Sequence, residues 1–461
     1  MSPSSRPQSR EARPYHFPSA ERVSLANGLT VIATPLPRLP VVTLLAIVDA
    51  GAERDSPAQA GLAALTAKVL GEGTRRRSGH QLADAFERLG GEMTSDVTWT
   101  RSECETTVLA DRVEPTLALL AEVLREPALA DVDVERLRDE RLAELLQIEA
   151  EPRELADDHF ARIAFGNDIR DAQPMAGNQI SVRRLSAGDV RAFYGDHYRP
   201  HTTTLIVAGD VDVQRVARCV EELFGDWEPG AGLGQHPRSQ TSLHPRRVHL
   251  VPRAGAPQSE IRVGHRSIGR SSADFHAIAV MNAILGGLFN SRINLNLRER
   301  HAFTYGAFSS FEWRRHTSLF EVSTAVRSDV TAAAVSEIIG EIERIRDAEV
   351  GDSELSLARD YLTGVFPIRF ETTAAIAEAI AVRESFGLAP DYYETYRDRI
   401  AAISAGDVRA AAEQYLDPDH LQVLVVGDPE ITRGPLGGVG MGEPEDISTG
   451  RIESILPAEA S

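Results

Sequence analysis

The first decided pattern lies in residues 22–35 (RVSLANGLTVIATP), where apolar and polar positions alternate on either side of Asn27-Gly28. Alternation of period two marks half-buried strands, and Asn-Gly favours a tight type I′ turn, so the stretch predicts a hairpin. A nearly continuous apolar run from Val41 to Val48 predicts a buried strand. The period then becomes helical, from about Pro57 to Leu70 and again from Gln81 to Leu89 after a Ser78 cap. Residues 113–126 and 132–150 carry two further amphipathic helices.

The chain repeats itself. Residues 186–210 read SAGDVRAFYGDHYRPHTTTLIVAGD, and residues 404–428 read SAGDVRAAAEQYLDPDHLQVLVVGD. Seven residues, Ser186–Ala192 and Ser404–Ala410, are identical, and Pro200/Pro418 and Gly209-Asp210/Gly427-Asp428 keep the same offset of 218. Upstream, ETTV from Glu105 and EVST from Glu321 stand 216 apart. Two copies at so long a period are a duplicated domain rather than a solenoid. In each copy the repeated unit opens a helix with a Ser N-cap and an Asp three positions on, then passes through a Pro into an apolar strand. Strands followed by runs of helices predict an α+β fold of two tandem homologous domains, each a mainly antiparallel sheet covered by helices. The expected boundaries are 18–230 and 247–433, joined by a Gly/Pro/Ser-rich linker at 231–246. A disordered N-terminus at 1–17 and a mobile tail at 434–461 are expected to flank them.

The repeat ending in Gly-Asp, the hairpin with its following helix, and the segment GGLFNSRINLNLRERHAFTYGAFSS (286–310) together resemble the insulinase or pitrilysin-like zinc peptidases. The resemblance spans roughly residues 20–433. Active members carry His-x-x-Glu-His on a helix of the N-terminal repeat, with a third zinc ligand, a Glu, on a later helix. The matching segment here, Gly61 to Thr74, has Ala64, Ala67 and Lys68 at the first His, the catalytic Glu and the second His. Glu144 stands at the third-ligand position, 76 residues after Lys68. The resemblance therefore implies no metal site, no catalytic residue and no cofactor in this chain, and no hydrolysis by the chain alone. An ion pair between Lys68 and Glu144 in place of the metal is an expectation for the structure to test. In the C-terminal repeat, Arg298 and Tyr305 match a pair that reaches substrate in the family, seven residues apart. A guanidinium is a fork donor to peptide carbonyls, and a phenol can donate to a developing oxyanion. In two-chain members one subunit holds zinc and the other supplies this pair. The resemblance thus implies a non-catalytic, substrate-binding subunit of a heteromeric zinc metalloendopeptidase. Its partners would be a homologous His-x-x-Glu-His subunit carrying the zinc and a peptide substrate. The alternative is a degenerate homologue acting as a structural or peptide-binding protein.

Composition narrows the picture in three places. Acidic residues outnumber basic ones 68 to 49, a net charge of −19, which argues against nucleic-acid binding through phosphate neutralisation. Two cysteines, Cys104 and Cys219, exclude a disulfide framework and a thiolate zinc module. No apolar run approaches the roughly 20 residues of a membrane span, and the N-terminus shows no secretory h-region, so a cytoplasmic location is expected. Lys68 is the only lysine among the 49 basic residues. His197 and His201 have helical metal-pair spacing, but Pro200 lies between them and a third ligand is lacking. The glycines at 437–442 follow a strand without opening a helix, so they are no dinucleotide fingerprint.

Overall fold

The computed structural model describes residues 14–166, 169–230, 234 and 244–447. The expected α+β duplication is present. In the first repeat, β1 (Glu21–Ser24), β2 (Thr30–Pro35), β3 (Val41–Val48), β4 (Thr94–Val97), β5 (Ser102–Leu109) and β6 (Thr203–Gly209) form one sheet, in the order β1-β2-β6-β3-β5-β4. In the second, β7 (Arg247–Pro252), β8 (Gln258–Ile268), β9 (Ala307–Trp313), β10 (Thr317–Arg327), β11 (Gln422–Gly427) and β12 (Glu445–Asp446) run β12-β7-β11-β8-β10-β9. Neighbours are antiparallel except β2–β6, β7–β11 and β12–β7. The outermost strand differs between repeats. In the first it is the hairpin partner β1, and in the second it is β12, contributed by the chain beyond the repeated unit.

Helices Leu62–Leu70, Val113–Arg125, Ala187–His197 and Val213–Phe224 cover one face of the first sheet around Leu44, Ala46, Val48 and Val207. Helices Phe275–Asn282, Thr331–Asp347 and Ala405–Tyr415 do the same for the second. The repeated Ser-x-x-Asp caps work as the sequence anticipates. Ser186 Oγ accepts from Asp189 N (3.2 Å) while Asp189 accepts from Ser186 N (2.9 Å), and Ser404 and Asp407 repeat the exchange.

The opposite sheet faces are closed by an exchange. Helix Pro152–Phe165, from the first repeat, lays Leu155, Ala156, Phe160 and Phe165 on Val251, Leu319, Leu424 and Val426 of the second sheet. Helix Thr373–Phe386, from the second, lays Ile376, Ala377 and Ile380 on Ile32, Leu45, Ile47 and Ile206 of the first. This explains why Val41–Val48 reads as a continuous apolar run rather than an alternating one: it is covered on both faces. Each exchanged helix carries a carboxylate paired to a buried arginine of the other repeat. Asp157 Oδ1 lies 2.6 Å from Arg262 Nε, and Glu378 Oε1 lies 2.6 Å from Arg101 Nη2.

Four expectations are corrected. The hairpin turns through three residues, 26–28, not two: Leu25 N donates to Leu29 O (2.9 Å) and Gly28 N to Leu25 O (3.0 Å), with Gly28 at φ +94°. Asn27 is engaged elsewhere, donating to Phe224 O (2.7 Å) and Trp227 O (3.1 Å) at the end of a helix. The helix expected from Pro57 starts at Leu62, since Gly61 sits at φ +97° and the Asp55 carboxylate accepts from both Gly61 N and Ala63 N at 2.9 Å. The mobile tail expected from 434 begins later. Helix Pro429–Gly437 runs through that point with Leu436 fully buried, and β12 pairs with β7. Within the expected disordered N-terminus, Phe17 is buried and its ring lies 4.7 Å from that of Tyr393. Residues 1–13, most of the linker (231–233 and 235–243) and 448–461 lie outside the described residues.

Candidate functional site

The vacated metal position is on helix Leu62–Leu70. Its N-terminus is fixed by Asp55, a buried carboxylate that also accepts from Arg170 Nη2 (3.2 Å). Burial pushes the Asp55 carboxyl up to about 6, against the pull of Arg170 and the two backbone amides. The other end is tied to the sheet by Ser95 Oγ, which donates to Ala67 O (2.7 Å). Ala64 and Ala67 are buried methyl groups. Lys68 Nζ reaches to 3.8 Å from Glu144 Oε1, on helix Asp131–Ala150, and Arg141 Nη1 donates to Glu144 Oε2 at 3.1 Å. The ion pair expected of the sole lysine is present, in a half-exposed setting.

This donor set does not fit zinc. A catalytic zinc site needs three N, O or S ligands with free lone pairs and an open position for water. Here two positions are methyl groups or an ammonium, whose three N–H bonds leave no lone pair, and the one carboxylate already faces two cations. Among the described residues, no three His, Cys, Asp or Glu side chains converge in a way that would hold a metal. His197 ends its helix with its ring 4.3 Å from Phe193, and Pro200 opens a separate short turn before His201. Cys104 is buried beside Ser95 Oγ (3.5 Å), and burial pushes its thiol up to about 11, which suits a packed residue rather than a nucleophile.

The C-terminal pair is presented differently. Arg298 lies in a wide helical turn, Leu295–Arg300, with its guanidinium 4.4 Å from the centre of the Phe289 ring and its Nε 3.6 Å from Glu299 Oε1. The chain then reverses through Ala302 at φ +53°, a region L residues seldom visit, while His301 N donates to Asn296 O and Phe303 N to Leu297 O. Tyr305 stands in a bend two residues before β9 rather than at the strand's first position, and it is 95% exposed. Around it Gly306 N donates to Thr304 Oγ (3.1 Å), and Gly306 O accepts from Thr324 Oγ (3.0 Å). Lys68 and Glu144 belong to helices of the first repeat, and Arg298 and Tyr305 to the second.

A cleft of about 610 Å³ lies between the repeats. Trp99 and Arg101 of the first repeat, Arg141 beside Glu144, Asp157 on an exchanged helix, and Glu312 and Trp313 at the far end of β9 all line it. A larger groove of about 1150 Å³, between helices Gly79–Arg88 and Val113–Arg125, is lined by none of the candidate residues.

Two family models match this chain. "Insulinase (Peptidase family M16)" covers residues 31–173, within the first repeat, and "Peptidase M16 inactive domain" covers 184–362, from the end of the first repeat into the second. The chain belongs to the insulinase family, peptidase family M16. An uncharacterized zinc protease of Streptomyces coelicolor is 26% identical over 403 residues, 86% of this chain and 87% of that protein. A probable mitochondrial-processing peptidase subunit beta of Arabidopsis thaliana is 22% identical, over 89% of this chain and 78% of its own length. The fold is that of a crystal structure described as a peptidase M16 inactive domain from Pseudomonas fluorescens, with a TM-score of 0.83 at 22% identity, covering 89% of this chain and 98% of that one. Among the described residues of this M16 chain, no helix is long and apolar enough to cross a membrane.

Sequence reasoning singled out Lys68, Glu144, Arg298 and Tyr305; it did not single out Asp55 and Arg170, which brace the start of the Lys68 helix, or Asn294, whose Nδ2 donates to Phe289 O (2.6 Å) and whose Oδ1 accepts from Ala307 N (3.0 Å). Asp55 and Arg170 are 115 residues apart, a separation that follows no motif spacing. Asn294 lay inside the matched segment, where nothing distinguishes a clamping amide from a helix-surface one.

Proposed function

We propose that this M16 chain is the non-catalytic, substrate-binding subunit of a heteromeric zinc metalloendopeptidase. The observation that carries the reading is a contrast within one molecule. Lys68 holds Glu144 in a place that cannot ligate metal, while Tyr305 is turned to solvent on a well-braced loop and Arg298 stands half-exposed, stacked on Phe289. Zinc and the general base belong to a homologous His-x-x-Glu-His partner in this reading. Arg298 then donates from its planar fork to carbonyls of an extended peptide, and Tyr305 donates its phenolic proton toward the oxygen of the scissile carbonyl as charge develops there. The free thiols Cys104 and Cys219 suit a cytoplasmic assembly.

The test is cleavage of a quenched fluorescent peptide library by this chain, by a zinc-motif homologue, and by their mixture. Activity is expected to appear or rise sharply only in the mixture. Tyr305→Phe in that mixture is expected to lower turnover by about 10²–10³, the usual effect of removing one oxyanion donor. A mixture no more active than the homologue alone refutes the role and favours a scaffold, as does unchanged turnover in the Tyr305→Phe complex.

A further inference from the structure

Positive charge gathers in one place on this acidic chain. Acidic residues outnumber basic ones 68 to 49, yet residues 265–273 and 313–320 together hold four arginines and two histidines and no Asp or Glu. The fold sets these stretches side by side. Thr317 pairs with Ile268 in the β8–β10 ladder, Thr317 Oγ1 donates to Ser267 O at 3.0 Å, and Arg270 N donates to Arg314 O at 3.0 Å. A local reversal of charge of this kind favours anions.

A cavity of about 490 Å³ lies against them, between the two repeats. Arg266, Arg314 and Arg315 line it from the second repeat and Arg170 from the first, against two carboxylates among the described lining residues, Glu53 and Asp171. Those carboxylates do not use up the donors. Arg314 Nη1 donates to Asp171 O (2.7 Å) and Oδ1 (3.1 Å), and Arg315 Nε donates to Glu53 Oε1 (2.7 Å). Arg315 Nη2 lies 3.6 Å from Asp49 Oδ1, and its Nη1 makes no hydrogen bond among the described residues.

Arg170 points the same way. It is 6% exposed, and its terminal nitrogens are bound to Asp55 and to the carbonyls of Gln173, Pro174 and Met175. Its Nε has no hydrogen-bond partner among the described residues. Buried polar atoms are almost always paired, so an orphaned donor on a cavity wall indicates a ligand. The Arg170 and Arg314 guanidinium groups also stack on one ring, that of Trp99, at 4.9 and 3.6 Å from its centre. Burial holds Arg170 below its usual range, and the Arg314 charge adds to the effect, against the pull of Asp55. Two like charges on one ring gain from an anion beside them.

The wall selects the anion. Planar guanidinium forks match the oxygens of a phosphate, and Ser271 and Ser272 bring hydroxyls to the same surface. The volume falls within the roughly 300–1,000 Å³ of small-molecule sites and exceeds what bare phosphate fills. Phe165 and Ile268 supply an apolar stretch for an organic remainder.

We propose that this cavity is a site for a phosphate group, held between Arg170 of the first repeat and Arg314 and Arg315 of the second. Arg298 and Tyr305 lie outside it, and Arg314 is the only described residue it shares with the cleft of about 610 Å³, so the site stands apart from the substrate-binding role. An occupant that bridges both repeats binds the folded chain alone and raises its melting temperature.

The test is isothermal titration calorimetry of the full chain with phenyl phosphate, inorganic phosphate and benzoate, with melting curves recorded alongside. Phenyl phosphate is expected to bind at one site per chain and to raise the melting temperature as its concentration rises. Benzoate is expected to bind at least about tenfold more weakly, since it offers one charge and a planar anion. Arg315→Gln removes charged donors, and Ser271→Asp, at the exposed rim, sets a negative charge against the ligand without touching the Arg315–Glu53 pair. Each is expected to weaken phenyl phosphate by about tenfold or more. Arg327→Gln, an exposed arginine outside the cavity, is expected to change nothing. Phenyl phosphate binding tighter than inorganic phosphate identifies an organic ester as the source, and equal affinity identifies free phosphate; both support the site. No saturable binding of either phosphate, benzoate binding as tightly, or equal weakening by Arg327→Gln overturns it.

Discussion

Lys68 shows how little a vacated metal site can contribute to stability. Its ammonium and the Glu144 carboxylate are both about half exposed and 3.8 Å apart, so solvent screens most of their attraction. Pairs of this kind contribute about 0.2–1 kcal/mol. Lys68→Ala is therefore expected to lower the melting temperature by no more than about 4 °C, measured by calorimetry. Glu321 behaves differently because its side chain is only about 20% exposed. Removal from water pushes its carboxyl up to about 7, while Arg262, 3.5 Å away, pulls the other way. The folded state then holds a proton that the unfolded chain has already released, so stability falls as pH rises from about 4.5 to about 7 and levels off above that. The slope from one such group is at most about 1.4 kcal/mol per pH unit. Denaturant titrations across that range should show Glu321→Gln flattening the decline. Below about pH 6 Asp55, raised in the same direction, should leave part of it. At this scale the sequence disclosed the pair whose spacing a motif dictates and concealed these carboxylates, since nothing near Glu321 in the chain announces Arg262 beneath it.

Elements were legible where local chemistry decides them. The Ser186 and Ser404 caps and the continuous Val41–Val48 strand follow from side-chain oxygens and apolar runs that act within a few residues. The hairpin turn and the start of the Leu62–Leu70 helix were misread because distant groups intervene: the helix end at Phe224 that Asn27 caps, and Asp55 folding back on Gly61. The exchanged helices belong in the second group. Each looks like any amphipathic helix, and its sequence does not say which sheet it will cover. Phe160 is fully buried between helix Pro152–Phe165 and the second sheet. Phe160→Ala is expected to cost about 3–5 kcal/mol in a chemical denaturation curve, as deep a loss as a core position within one repeat. A cost below about 1 kcal/mol would mean that the exchanged helix is only loosely seated.

For the whole molecule, the exchange makes each repeat incomplete alone. Without helix Thr373–Phe386, one face of the first sheet would present Ile32, Leu45, Ile47 and Ile206 to water. A fragment of residues 18–230 is expected to bind a hydrophobic dye and to lack a cooperative melt, and a second fragment spanning 247–447 is expected to restore both properties when added in trans. A fragment that melts cooperatively by itself would show that the exchange is not needed for the fold. The duplication was readable from one constant offset, whereas this mutual dependence was not, because repeat identity says nothing about which copy a helix packs on.

The same exchange sets a clock on synthesis. The last strand of the first sheet ends at Gly209, and the helix that covers its open face ends at Phe386, 177 residues later. A ribosome adding about 5–20 residues each second leaves that face bare for roughly 10–35 s. Throughout that interval the nascent first repeat is a sticky half-product, and the cell must shield it, by a chaperone or by dilution, until the rest of the chain arrives.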